Sequence, residues 1–186
     1  MAVKTFTTGE VLTASDTNTY LANSGLVYIT SSTFGGSPGV ELSNCFTTTY
    51  DNYFMTYTWY GSVSTNINTQ YMTGTNTRDT ASTYNRSGFY WTSSINNFNS
   101  TGGGNEFIGN HGTVADTYST ATVTYFRPFV SGVKSNSTVT SYSGDSGLTA
   151  HISASKQTTT SYTGLYVFPT SGTMTGTITI YGYRKV

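Results

Sequence analysis

The stretch Asn52–Tyr60, NYFMTYTWY, alternates two sets of side chains, with Tyr53, Met55, Tyr57 and Trp59 on one side and Phe54, Thr56, Thr58 and Tyr60 on the other. A repeat of two is the period of an extended strand, whose successive side chains point to opposite faces. Aromatic groups on both sides predict a strand lying between two surfaces. Thr173–Tyr183, TMTGTITIYGY, repeats the pattern with one face coated in hydroxyls: Met174, Gly176, Ile178, Ile180 and Gly182 alternate with Thr173, Thr175, Thr177, Thr179 and Tyr181. That is a core-facing strand with a polar outer side.

Working outward, further strands are expected at Leu26–Thr30, Val40–Phe46, Ser87–Thr92, Glu106–Gly109, Ser119–Phe129, Gly147–Ala154 and Tyr162–Phe168. Gly, Asn and Ser separate them, and no helical pattern intervenes that could carry a crossover between parallel strands. Asn96–Asn105, NNFNSTGGGN, reads as a loop, and Asn66–Arg86 is polar enough for a second long connection. The fold class is therefore all-β, an antiparallel β-sandwich of jelly-roll type with eight or nine strands and a short N-terminal helix and arm. In the arm, LTASDTNTYLANSG offers Thr13 as a cap for a helix starting at Ala14, Asp16 as the partner in an approximate capping box and Gly25 as the stop. A helix of about ten residues needs tertiary support. The expected division is residues 1–25 as an anchoring arm and 26–186 as one β-sandwich domain, a size suited to a single core.

Composition agrees. Charged residues make up 9% of the chain, while Ser and Thr supply roughly a third of it, so the polar surface is made of hydroxyls and amides. Sixteen Tyr, 10 Phe and 2 Trp are too many aromatics for a chain without a core. The formal net charge is zero and no run of like charge occurs, so the basic footprint that nucleic acid demands is missing. No apolar stretch approaches the roughly 18 residues of a membrane-spanning helix, so no membrane insertion is expected. Cys45 is the only cysteine, which rules out an intrachain disulfide and suggests a small buried hydrophobe.

Three segments carry a resemblance. FTTGEVLTASDTNTYLAN, Phe6 to Asn23, resembles a leader found on many tailed-phage virion proteins, in which a Gly-Glu-Val-Leu-Thr-Ala-Ser-Asp core precedes an Asn and an apolar pair. VELSNCFTTTYDNYFMTY, Val40 to Tyr57, resembles the strand, turn and strand of a phage structural domain, with Phe46, Tyr50, Asp51, Asn52 and Tyr53 in the matching places. TTSYTGLYVFPTSGTMTGTITIYGYRKV, Thr159 to Val186, is similar to the last two strands of the same domain, closing on Tyr-Gly-Tyr-Arg-Lys. Cys45 stands where that pattern has an apolar residue, and Phe54 to Tyr60 is more aromatic than the usual strand. The resemblance implies a structural protein on the virion surface, a homotrimer whose partner is the major capsid protein or a tail adaptor. Its role would be head decoration, as a cement protein, or a tail fibre or receptor-binding module that recognises a host surface glycan.

Chemistry is sparsely supported by the residues themselves. His111 and His151 lie far apart and neither sits in a ligand-spaced motif, so no metal and no cofactor is expected. Ser, His and Asp are present, but no nucleophile elbow accompanies them, and the eight acids suggest no catalytic pair. The reading is non-enzymatic, with no catalytic residues. Tyr84, Tyr90, Trp91 and Phe98 cluster near expected loops and are the candidate glycan contacts, because aromatic faces are good platforms for sugars. In the arm, Val3, Phe6, Val11, Leu12, Tyr20 and Leu21 are the apolar residues expected to order on a partner and anchor the domain.

Overall fold

The computed structural model describes residues 7–11, 13–16, 25–91, 93–111, 117–144 and 147–184. Thirteen strands run through them: β1 (Leu26–Ser37), β2 (Val40–Leu42), β3 (Asn52–Gly61), β4 (Thr65–Gly74), β5 (Thr77–Arg78), β6 (Tyr84–Trp91), β7 (Ile95–Gly103), β8 (Glu106–His111), β9 (Ser119–Phe126), β10 (Asn136–Tyr142), β11 (Thr149–Lys156), β12 (Gly164–Pro169) and β13 (Met174–Tyr183). All pairings are antiparallel. They form an eight-stranded sheet in the order β1-β13-β3-β9-β10-β11-β6-β7 and a smaller sheet in the order β2-β12-β4-β5, with β8 also paired to β4.

The two strands that led the sequence reading lie side by side in the large sheet. β3 buries Tyr53, Met55, Tyr57 and Trp59 completely, and β13 buries Met174, Ile178 and Ile180 against the same interior. Each such side chain removed from water contributes roughly 1.5–3 kcal/mol. Gly176 is needed where these strands meet, because a Cβ there would fall 2.1 Å from the Thr58 carbonyl oxygen. The core between the sheets is aromatic: Phe46 packs at 4.6 Å from Tyr53 and 5.7 Å from Tyr125, while Tyr71 stacks at 4.7 Å on Tyr162. Cys45 is buried beside them, and loss of hydration pushes its thiol up to about 12.

Four expectations are corrected. Asn96–Asn105 is not a loop, since most of it is β7, paired along β6. Asn66–Arg86 is not a long connection; it holds most of β4, all of β5 and the start of β6. In both cases the polar residues fill the solvent side of a strand or, where buried, find a hydrogen-bond partner, as Asn68 does by donating from Nδ2 to the Thr170 hydroxyl at 2.9 Å. The strands also exceed eight or nine, because β4, β7 and β10 are too polar to stand out. Finally, β3 is covered on one side only: Phe54 and Tyr60 are half-buried, lying 6.5 Å from Tyr181 and 5.1 Å from Tyr118 within the outer face of the sheet.

In the arm, Ala14–Asp16 form a single helical turn, α1, which does not by itself establish the expected helix. The rest of the expected helix falls outside the described residues, as do Val3, Phe6, Leu12, Tyr20 and Leu21. Val11 is described and is 78% exposed.

Candidate functional site

The cross-strand register places the outer face of the large sheet in rows. One row runs Thr33, Thr177, Thr58, Thr120, Tyr142, Thr149, Trp91, Ile95 across all eight strands. The next runs Ser31, Thr179, Thr56, Thr122, Thr140, His151, Phe89, Asn97. A third carries Thr124, Thr138, Ser153, Ser87 and Asn99. No Asp, Glu, Lys or Arg stands in these rows. The β1-β13-β3-β9 half is dominated by threonine, and the β10-β11-β6-β7 half by small hydroxyls, amides and protruding rings.

On that second half the face holds two open depressions. One, of about 470 Å³, is lined by Asn85, Ser87, Asn99, Asn136, Thr138 and Ser153 among others. The other, of about 420 Å³, is lined by Phe89, Thr140 and His151 and shares Ser87, Thr138 and Ser153 with the first, so the two form one trough along the strands. Small residues at the middle positions make the floor low, and rings make the wall high. His151 sits in that wall, its ring 5.2 Å from Phe89 and its Nδ1 3.2 Å from the Thr140 hydroxyl. The close approach of β6 and β11 beneath depends on Gly88, since a Cβ there would come within 2.3 Å of the His151 carbonyl oxygen. Arg86 is the one charged residue lining the trough, and by register it shares the inner side with Ala154.

The four candidate glycan contacts do not form one surface. Trp91 is on the outer face and 55% exposed. Tyr90, its neighbour in the chain, points to the other side, where it is half-buried 6.4 Å from Phe98. Tyr84 is a correction: it is buried in the core, its ring stacked 6.0 Å from Tyr71 and its hydroxyl accepting from the Tyr71 backbone N–H at 2.8 Å. The period of two that defines β6 separates the set. The same period supplies the residue that was overlooked, because Phe89 stands two positions before Trp91 and therefore beside it; Tyr142 belongs to the same face from β10.

Comparison with known proteins returns no matching family model, no matching curated protein and no matching solved structure.

Two buried polar groups lie under the sheet. Lys156 Nζ is 3.1 Å from Asp79 Oδ1, donates to the Ala81 carbonyl at 3.0 Å and stands 4.0 Å over the Tyr84 ring. Tyr162 donates to the other Asp79 oxygen at 2.7 Å. Burial works against the Asp79 carboxylate, but the Tyr162 hydroxyl, the Ala81 amide and the Lys156 ammonium outweigh it and hold the carboxyl below its usual range. Glu106 is the opposite case: burial pushes its carboxyl up to about 7 against the Ser137 hydroxyl bonded to it and the positive charge of Arg86. Neither group opens onto the trough, and among the described residues no three His, Cys, Asp or Glu side chains converge as metal ligands.

Proposed function

We propose that this chain is a non-enzymatic structural protein of a tailed-phage particle, exposed on the virion surface and serving as a trimeric capsid decoration or cement protein. The observation that carries the reading is the outer face of the large sheet, three rows deep and without a formal charge. Near-neutral surface promotes association, and the threonine-dominated β1-β13-β3-β9 half of this face is suited to being covered by other subunits. The resemblance of the Phe6–Asn23 leader, the Val40–Tyr57 segment and the Thr159–Val186 ending to phage virion proteins supports the same reading. The sandwich is read as jelly-roll in type because the chain passes back and forth between its two sheets along its length and its first and last strands are neighbours. In this reading the arm specifies the place on the particle, with the major capsid protein as partner.

Attachment through neutral contacts makes binding to the particle insensitive to ionic strength. Washing particles in rising NaCl should leave the protein bound, and its release by moderate salt alone would count against the proposal. Copy number gives a second test. A quantified gel band comparable to the capsid subunit supports decoration, whereas a band at the level of tail proteins supports the second reading, a tail-borne receptor-binding module. The rings exposed beside the trough are what favour that second reading.

A further inference from the structure

We infer that the trough across β10, β11, β6 and β7 is a binding site for a neutral oligosaccharide. The inference uses the fold alone, so it stands or falls separately from the virion assignment.

Shape is the first ground. The continuous trough combines depressions of about 470 and 420 Å³, each within the ordinary range of ligand sites. Along β6 it follows the outward residues from Asn85 to Phe89, roughly 13 Å at the rise of a strand, with Trp91 next on the same face beyond its end. It is open at the surface and lies on regular strands, so an extended chain could lie along it without rearranging the backbone.

Chemistry is the second. The floor presents Ser87, Ser153 and Thr138 with the amides of Asn99 and Asn136, groups that both donate and accept and carry no charge. Beside them stand rings that the fold leaves in water: Phe89 is 39% exposed, Trp91 55% and Tyr142 49%. A sugar ring has a C–H face that packs on an aromatic ring and an equatorial rim of hydroxyls that both donate and accept, so it matches this pairing of wall and floor. Burying one such ring face under a sugar removes apolar surface that the folded chain by itself does not cover.

Other occupants match less well. A phosphorylated or anionic polymer would require several cations on the face, and Arg86 is the single charged residue in the lining. A second copy of the chain would match the threonine half, whose rows of short hydroxyls carry few protruding rings. The Tyr118 ring supplies an internal control: it is 51% exposed on the same molecule but packs against Tyr60, away from the trough.

The test is a printed array of neutral and anionic bacterial and plant glycans, probed with the intact chain and followed by calorimetric titration of the best neutral hexasaccharide. Binding to neutral glycans is expected, with Trp91→Ala and Phe89→Ala each raising Kd at least roughly tenfold and Tyr118→Ala leaving it unchanged. All three residues are exposed, so thermal melting of the variants should match the parent. Trp91 also reports directly, because Trp59 is buried and only the outer indole can respond to ligand in its emission. Binding to no glycan, binding to anionic glycans alone, or binding indifferent to Trp91 and Phe89 would each overturn the site. So would concentration-dependent self-association that disappears in Trp91→Ala, which would assign the face to a second copy.

Discussion

Gly176, Glu106 and Asp79 show how much of this molecule rests on single positions. A Cβ at Gly176 has nowhere to go, since the obstacle 2.1 Å away is the Thr58 backbone rather than a flexible side chain. Gly176→Ala should therefore lower stability by more than about 2 kcal/mol in urea unfolding, although alanine is otherwise better tolerated in a strand. The two carboxylates pull stability in opposite directions along the pH axis. Glu106 has a folded value raised from 4.5 to about 7, so its contribution is complete below 4.5 and is lost as pH rises through 7. The loss is on the order of 3 kcal/mol. Asp79 is held below its ordinary 3.8, so its contribution is present above that value and is lost as pH falls through the lower folded one. Stability of the parent should peak near pH 4 to 4.5 on these two groups. Glu106→Gln keeps an acceptor for Ser137 and has no charge to bury, so urea midpoints measured from pH 4.5 to 8 should flatten. An unchanged slope would remove Glu106 as its cause. Asp79→Asn leaves Lys156 buried without its carboxylate and should lose about 3 kcal/mol at neutral pH.

At the level of elements, β10 is the sharpest case. Its sequence, NSTVTSY, has one aliphatic side chain, yet it pairs along its whole length with β9 on one side and β11 on the other. The amides of Thr138 to Ser141 should therefore exchange with deuterium as slowly as those of β3, and fast exchange would contradict the central placement. Strands such as β3 and β13 were legible because their inner positions carry large apolar groups that alternate with hydroxyls. In β10 the inner positions are Ser137, Val139 and Ser141, all buried but with a single aliphatic side chain among them, and periodicity in hydrophobicity then fades. β7 fails to announce itself for another reason: Asn and Gly are turn residues by propensity, and only its pairing with β6 makes it a strand. The candidate site was legible in part. Trp91 was identified, but adjacency in sequence was taken for adjacency in space, and alternation sent Tyr84 and Tyr90 to the interior side. Phe89 and Tyr142 required the register between strands, which no local pattern encodes.

For the whole molecule, the scarcity of charge matters most. Among the described residues the ion pair that is buried is Lys156 with Asp79, and burial shields it from added salt. The thermal midpoint should therefore move little between low and high NaCl; a large shift would point to surface pairs that hold the fold. With a sequence pI near 6.7, the protein also has little charge repulsion to keep copies apart at neutral pH. Antiparallel pairing, two sheets and a single aromatic core were all expected from the sequence, whereas the unequal size of the sheets was not. Two of the polar strands, β7 and β10, add to the large sheet on the side where the trough lies.

The position of β13 has a consequence for synthesis. β1 is paired along most of its length with β13, and β13 in turn links β1 to β3. As the chain leaves the ribosome, β1 emerges early and then waits for nearly every other strand before its neighbour appears. Closing so long a loop is slow, and the delay leaves an uncharged, β-prone segment with unsatisfied backbone groups. Assembly of the large sheet is thus a late event in the life of each nascent chain, and the moment of greatest risk of association with the wrong partner falls just before β13 is delivered.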